Sequence, residues 1–316
     1  MINFSGYKKG VNLGGWLSQC CHTTEHYDTF ISSEDIEKIA EWGADHVRLP
    51  IDYNLIENED GSEKESGYSY IDNAVKWCRL FGLNLILDLH KTSGFSFDKG
   101  ENESGFFESV ALQERFYKLW ERLAKRYAVN DGTIAFELLN EVTEQSYAAV
   151  WNNIIRSCIE RIRRIAPDTV ILVGGYWQNS PDAVPDLESP YDDKVVYNFH
   201  CYDPMPFTHQ GAYWVEDMDP SFRKSFDSTE ITPEFFIKRF ERAAEAAKNN
   251  GTVLYCGEYG VIDNATPEDT VKWFKAINAA FEKMGICRAA WSYKKMDFGL
   301  SDDRMSGVID ELIKYL

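Results

Sequence analysis

Basic residues are scarce in this chain. It sets 33 lysines and arginines against 51 aspartates and glutamates, a formal charge of −18 over 316 residues. Such an acidic balance argues against nucleic acid, phosphorylated ligands or an anionic membrane as partners, and it is compatible with a neutral substrate such as a sugar polymer. No apolar run approaches the ~20 residues of a membrane span. The stretch from Met1 to Gly10 lacks the apolar core of a signal peptide. The expected location is therefore extracellular if a leader has been removed, and cytoplasmic otherwise. Seven cysteines, an odd number with one adjacent pair at Cys20-Cys21 and no regular spacing, make a poor disulfide framework and point to reduced thiols or at most an occasional bridge. Six histidines show neither His-x-His nor His-Glu-x-x-His, so neither a metal nor another cofactor is expected. A Gly-x-Ser-x-Gly elbow and a dinucleotide fingerprint are missing too. Gly174-Gly175 offers a phosphate loop, but barrel phosphate sites usually follow strands seven and eight, where Glu258 within Gly257-Glu258-Tyr259-Gly260 would repel the anion.

What the chain does have is apolar and aromatic mass. The hydrophobic fraction is 44%, and 17 Tyr, 9 Trp and 19 Phe supply rings for a core and for stacking against sugar faces. Short apolar runs alternate with amphipathic ones, with no repeat and no low-complexity linker. Strands are expected at Gly10–Leu13, His46–Pro50, Leu83–Leu89, Ile134–Val142, Val170–Val173, Val195–Phe199, Val253–Cys256 and Cys287–Trp291. The fourth is entered through the turn pair Asp131-Gly132. Helices are expected from Ser33 to Trp42 with a capping box between Ser33 and Glu37, then at Tyr70–Phe81, Ser109–Arg126, Tyr147–Ile165, Pro233–Asn249, Pro267–Met284 and Ser306–Tyr315. Eight strands alternating with helices favour an α/β fold, a closed (β/α)₈ TIM barrel in one catalytic domain over residues 1–316. The irregular stretch after strand six, at about 203–232, is too long for an ordinary loop and is expected to lie over the active face.

Catalytic residues of such barrels sit at the C-terminal strand ends. Those ends carry Asn12, Arg48, Asp88, His90, Asn140, Glu141, Asn198, His200, Tyr202, Glu258 and Trp291. Internal hydrogen bonding accounts well enough for Asp88 and Asn198, and either histidine alone reads as a satisfied core imidazole. Together the set is more than packing needs. Glu141 and Glu258, facing each other from strands four and seven, suit glycoside hydrolysis, in which one carboxyl is the nucleophile and the other the acid and later the base. Arg48 with the Tyr202 hydroxyl is placed to hold the nucleophile ionised, Asn140 to bond a sugar 2-hydroxyl, and Trp291 to floor the ring being cleaved. Glu137 is expected deeper and structural.

These motifs resemble glycoside hydrolase family 5, and most of all its compact clostridial endoglucanases. They are Gly14-Gly15-Trp16, His46-Val47-Arg48-Leu49-Pro50, Leu87-Asp88-Leu89-His90, Phe136-Glu137-Leu138-Leu139-Asn140-Glu141, Tyr197-Asn198-Phe199-His200-Cys201-Tyr202, Cys256-Gly257-Glu258-Tyr259-Gly260, and the run Trp291-Ser292-Tyr293-Lys294-Lys295-Met296-Asp297-Phe298. The resemblance implies a retaining endo-β-1,4-glucanase that acts as a monomer on cellulose or mixed-linkage β-glucan, polysaccharide or oligosaccharide, without a cofactor. It implies Glu141 as acid/base and Glu258 as nucleophile, with Arg48, His90, Asn140, His200, Tyr202 and Trp291 around the cleaved ring. Trp214 in the insertion is a candidate sugar platform. Lichenase, mannanase, xylanase and exo-acting β-glucosidase activities use the same machinery and stay open. A sugar-binding barrel without catalysis is the rival of another class, and the intact Glu141, Glu258 and Arg48 argue against it. Val142 stands where many members have proline, and Lys91 where many have a second histidine, which puts a cation near the mouth.

Overall fold

Eight parallel strands close on themselves: β1 (Lys9–Asn12), β2 (His46–Asp52), β3 (Asn84–Lys91), β4 (Ile134–Glu137), β5 (Ile171–Gly174), β6 (Val195–Cys201), β7 (Leu254–Tyr259) and β8 (Cys287–Ala290). Each pairs with its neighbour in sequence order and β8 pairs with β1, so the barrel has no open edge. The computed structural model describes residues 4–98, 100–128 and 132–316, and Asp131 of the expected turn lies outside the described residues. The helices that cover the strands are α1 (Ser33–Glu41), α2 (Glu65–Leu80), α3 (Val110–Tyr127), α4 (Ala148–Arg163), α5 (Pro233–Asn249), α6 (Pro267–Met284) and the short α7 (Ile309–Leu312). Between β5 and β6 the chain makes only a turn at Tyr176–Asn179 and a 3₁₀ segment at Pro181–Asp186, the one or two turns that its prolines leave room for.

Side chains alternate across each strand, and this alternation builds the interior in layers. Ile86, Ala135, Leu172, Val196, Tyr255 and Ala289 form a lower apolar layer closed beneath by Phe4 and Tyr7. Two residues further along four of the same strands stand Asp88, Glu137, Gly174 and Asn198, with Arg48 on β2 and Asn12 on β1. The interior thus turns from apolar to polar within one side-chain step. On the outside, the apolar faces of the helices and the outward strand residues form the large core, with Trp120 and Trp151 fully buried in it. Trp120 donates its indole N–H to the carbonyl of Leu138 at 3.0 Å, and Trp151 to that of Gly174 at 2.8 Å, so α3 and α4 hold the upper ends of β4 and β5.

Several expected boundaries change; the helix expected from Tyr70 starts at Glu65. The fourth strand ends at Glu137 rather than Val142, because β5 offers no further register beyond the Glu137–Leu172 pair. Leu138 still donates to Leu172 at 3.2 Å and Asn140 to Leu89 at 3.1 Å, after which the chain turns outward. The cap of α1 is Ser32, not Ser33: its N–H donates to Asp35 Oδ2 at 2.9 Å, and the box needs partners three positions apart, with two residues between them. The expected terminal helix over 306–315 is broken into α7 and 3₁₀ turns at Asp303–Met305 and Ile313–Tyr315.

Candidate active site

Arg48 organises the polar layer. Its side chain is fully buried, and Nε and Nη2 grip both oxygens of Glu137 at 2.7 Å each. Nη1 donates to Asn12 at 3.0 Å and to Glu258 Oε1 at 2.8 Å, while Nη2 also reaches Asn140 Oδ1 at 2.8 Å and Asp88 Oδ2 at 3.0 Å. A buried guanidinium persists only when its donors are matched by acceptors, and here the fork is fully engaged. Glu137 is therefore the structural carboxylate its depth predicted, receiving a further bond from Asn198 at 2.8 Å.

Glu258 points inward because of an irregularity in β7. Tyr255 is in the lower layer, so simple alternation would aim Gly257 and Tyr259 into the barrel. A register shift between Phe199 and His200 sets His200 opposite Glu258 instead. Bulges re-aim side chains in this way next to active sites. Glu258 Oε2 then accepts from the Tyr202 hydroxyl at 2.8 Å, so both of its oxygens hold strong donors.

Glu141 is treated differently. One oxygen lies 2.7 Å from His200 Nδ1, and no arginine touches it. Burial pushes its carboxyl up to about 7, and burial likewise pushes the His200 imidazole down to about 4, leaving that ring neutral at neutral pH. Donor atoms of Glu141, His200 and Glu258 all lie within 4.8 Å of one another. This triad is the group among the described residues that could also hold a metal ion, although Arg48 already neutralises one of its carboxylates. One oxygen of Glu141 and one of Glu258 thus lie close enough to reach the same atom from two sides.

The remaining expected residues fall into two groups. His90 and Trp291 lie parallel with ring centroids 5.7 Å apart, and His90 Nδ1 is held by Asp88 at 2.6 Å. Burial pushes Asp88 up to about 7. Asn140 Nδ2 has only a 3.4 Å contact to His90 Nε2 and remains available to a ligand. Gly14 lets the Trp291 ring approach: a Cβ there would sit 2.7 Å from the indole. Trp214, by contrast, does not join the carboxylates. It is 45% exposed and lies against Phe298, 6.5 Å between centroids, which in turn lies 5.6 Å from Tyr202. Lys91 is not a free cation at the mouth; it is buried and paired with Glu101 at 2.7 Å.

Sequence reading missed Asn179. It ends a run of three left-handed residues, Trp177, Gln178 and Asn179, with φ of 51°, 54° and 54°. Outside glycine that conformation costs roughly 1–2 kcal/mol per residue, least for asparagine, and clusters of it mark functional sites. The doubled glycine at Gly174-Gly175 was the available signal, and it was ambiguous. A Cβ on Gly174 would stand 2.1 Å from Asn179 Oδ1, so the glycine serves this asparagine.

The chain is similar to known proteins. The chain is 54% identical over 288 residues to cellodextrinase A of Ruminococcus flavefaciens, covering 91% of this chain and 86% of the relative. It is 40% identical to endoglucanase C of Acetivibrio thermocellus, covering 98% of each. The crystal structure of the clostridial cellulose synthase subunit Z from Clostridioides difficile superposes with a TM-score of 0.83 at 27% identity, over 97% of this chain and 99% of that one. The family model described as cellulase (glycosyl hydrolase family 5) matches residues 6–297. With the barrel and its carboxylate pair, these matches make the chain a glycoside hydrolase, a member of the cellulase family, glycosyl hydrolase family 5.

Proposed function

We propose that this enzyme is a retaining endo-β-1,4-glucanase, with residues 1–316 forming one catalytic domain that cleaves cellulose chains or mixed-linkage β-glucan by double displacement. The observation that carries the reading is the unequal treatment of two carboxyls within 4.8 Å of each other's reach. Glu258 receives Arg48 and Tyr202 and is the nucleophile; Glu141 is pushed up to about 7 by burial and is the acid. In the first step Glu258 attacks the anomeric carbon, the glycosidic C–O bond breaks, and Glu141 transfers its proton to the departing oxygen. In the second, ionised Glu141 takes a proton from water, whose oxygen displaces Glu258 and regenerates both carboxyls. Arg48 stabilises the negative charge of Glu258 between turnovers. Asn140 Nδ2 bonds the 2-hydroxyl, and Trp291, backed by His90, forms the floor of the cleaved ring. Trp214 stacks a more distant sugar at the edge of the 203–232 insertion.

A second reading, preference for short cello-oligosaccharides over polymer, is favoured by the 54% identity to a relative named as a cellodextrinase. The two separate on one pair of assays: reducing ends and viscosity with carboxymethylcellulose or barley β-glucan, and the product ladder from cellohexaose. The endo reading expects a rapid fall in viscosity and internal cleavage of the hexaose. Stepwise release of cellobiose with unchanged polymer viscosity selects the oligosaccharide reading. Binding without any hydrolysis removes both. The reaction uses no metal or cofactor, so a chelator leaves the rate unchanged.

A further inference from the structure

The loop carrying Glu141 is stitched to the left-handed turn after β5 by three hydrogen bonds. Trp177 N–H donates to the carbonyl of Thr143 at 3.2 Å and Gln178 N–H to that of Val142 at 3.0 Å. The side-chain amide of Asn179 donates to the carbonyl of Asn140, the peptide oxygen immediately before Glu141. The same amide nitrogen lies 3.4 Å from His200 Nε2. Asn179 is 1% exposed, and its Oδ1 has no partner.

These contacts fix one another in sequence. A peptide carbonyl can only accept, so the amide must turn its NH₂ group, not its oxygen, toward Asn140. The second amide hydrogen then faces His200 Nε2. Two N–H groups cannot face each other, so Nε2 carries no proton. A neutral imidazole has a single ring proton, which must sit on Nδ1, 2.7 Å from Glu141 Oε1. With Oε1 already accepting, the acidic proton of Glu141 is left on Oε2.

We infer that Asn179 is a positioning residue: held by the left-handed turn 177–179, it sets the tautomer of His200 and thereby selects the oxygen of Glu141 that carries the transferable proton. The role for Glu141 rests on the proposed mechanism; the tautomer does not. Around His200 stand Glu137 and Glu141 from the β4 segment, Glu258 from β7, Arg48 from β2 and His90 from β3. All are present with either side chain at position 179, so a change seen in Asn179 variants belongs to the amide.

The first measurement needs no substitution. In ¹⁵N-histidine-labelled enzyme near pH 7, His200 should show a protonated Nδ1 and an unprotonated Nε2. A proton on Nε2 overturns the inference. In Asn179→Gly the left-handed backbone is kept without strain and only the amide is lost, so stability serves as the control. This variant should show mixed His200 tautomers and a kcat reduced on the order of 10-fold, as for other supporting hydrogen-bond partners, with KM little changed. In Asn179→Asp the carboxylate accepts from Nε2–H, and kcat should fall about 10²-fold. The alkaline limb of its pH profile should also move to lower pH, because a protonated His200 favours ionised Glu141. Asn179→Gly with wild-type kcat and an unchanged tautomer also overturns the assignment. If the tautomer behaves as stated while Glu141→Gln retains full activity, the acid role of Glu141 fails and the positioning of His200 by Asn179 stands.

Discussion

Two glutamates of identical chemistry are placed in opposite surroundings, and the opposite tasks proposed for them follow from what donates to each. Glu258 faces a guanidinium and a phenol, while Glu141 faces a neutral imidazole in a dry wall. With Glu141 raised to about 7, activity should fall as pH rises through that value, because the ionised form has no proton to give. Glu141→Gln should lose at least about 10³-fold on unactivated β-glucan, near the middle of the range for removing a general acid. It should lose far less in the first step with a dinitrophenyl cellobioside, whose leaving group needs no acid, and that step should lack the alkaline limb. Equal losses on both substrates would contradict the role. For Glu258→Gly, azide should restore turnover as the glycosyl azide of inverted configuration; recovery of the retained azide instead would exchange the two assignments. Arg48 ties Glu258 to the layer beneath it, and a lysine there has no fork with which to hold Glu137 and Glu258 together.

The strands announce themselves in sequence because parallel strands buried on both faces are rich in apolar residues; all eight were expected, although β1 and β8 are short and β2 is broken by Arg48. Their ends were less legible. Polar interior residues such as Asp88, Asn198 and Glu258 interrupt hydrophobicity where the ladder continues, so β3, β6 and β7 run past their apolar stretches to Lys91, Cys201 and Tyr259. The Ile134 run errs the other way, since Leu138, Leu139 and Val142 are buried beyond the end of the strand at Glu137. The polar residues that the structure gathers around Arg48, Glu141 and Glu258 were readable because they sit at strand ends. Asn179 was not, because a left-handed turn built from Trp, Gln and Asn has no compositional mark. The stretch at 203–232 was singled out by length alone, and the use expected of it is testable through Trp214. Trp214→Ala should lower kcat/KM for cellopentaose about fivefold, the worth of one aromatic face, and change that for an aryl cellobioside less. An equal effect on both would make Trp214 a packing residue of the insertion, coupled to Tyr202 through Phe298.

Over the whole molecule, stability and chemistry are stacked along the barrel axis. At the bottom, Phe4 stacks on Tyr7 at 4.8 Å and meets Tyr255 edge-on at 5.7 Å, far from any reacting group. Phe4→Ala should cost about 3 kcal/mol and leave kcat within about twofold. In the middle, Glu137→Gln breaks the bidentate pair beneath the site and should lower both stability and kcat, because a buried guanidinium is left short of charge. At the top the sign reverses. The folded carboxyl of Glu141 titrates near 7, above its ordinary value of 4.5. Between those two values the native state binds more protons than the unfolded chain, so Glu141 makes stability fall as pH rises through that window. Above pH 7 the full cost of holding an ionised carboxylate in this buried site is felt, about 3 kcal/mol for a rise from 4.5 to about 7. Glu141→Gln removes that cost, and its amide oxygen can still accept from His200 Nδ1. Urea unfolding should therefore find the variant more stable than wild type at pH 8 and about equal to it at pH 4. A variant less stable at pH 8 would mean that the ionised carboxylate is well solvated in the fold, and a well-solvated glutamate would not keep the proton that the acid step requires.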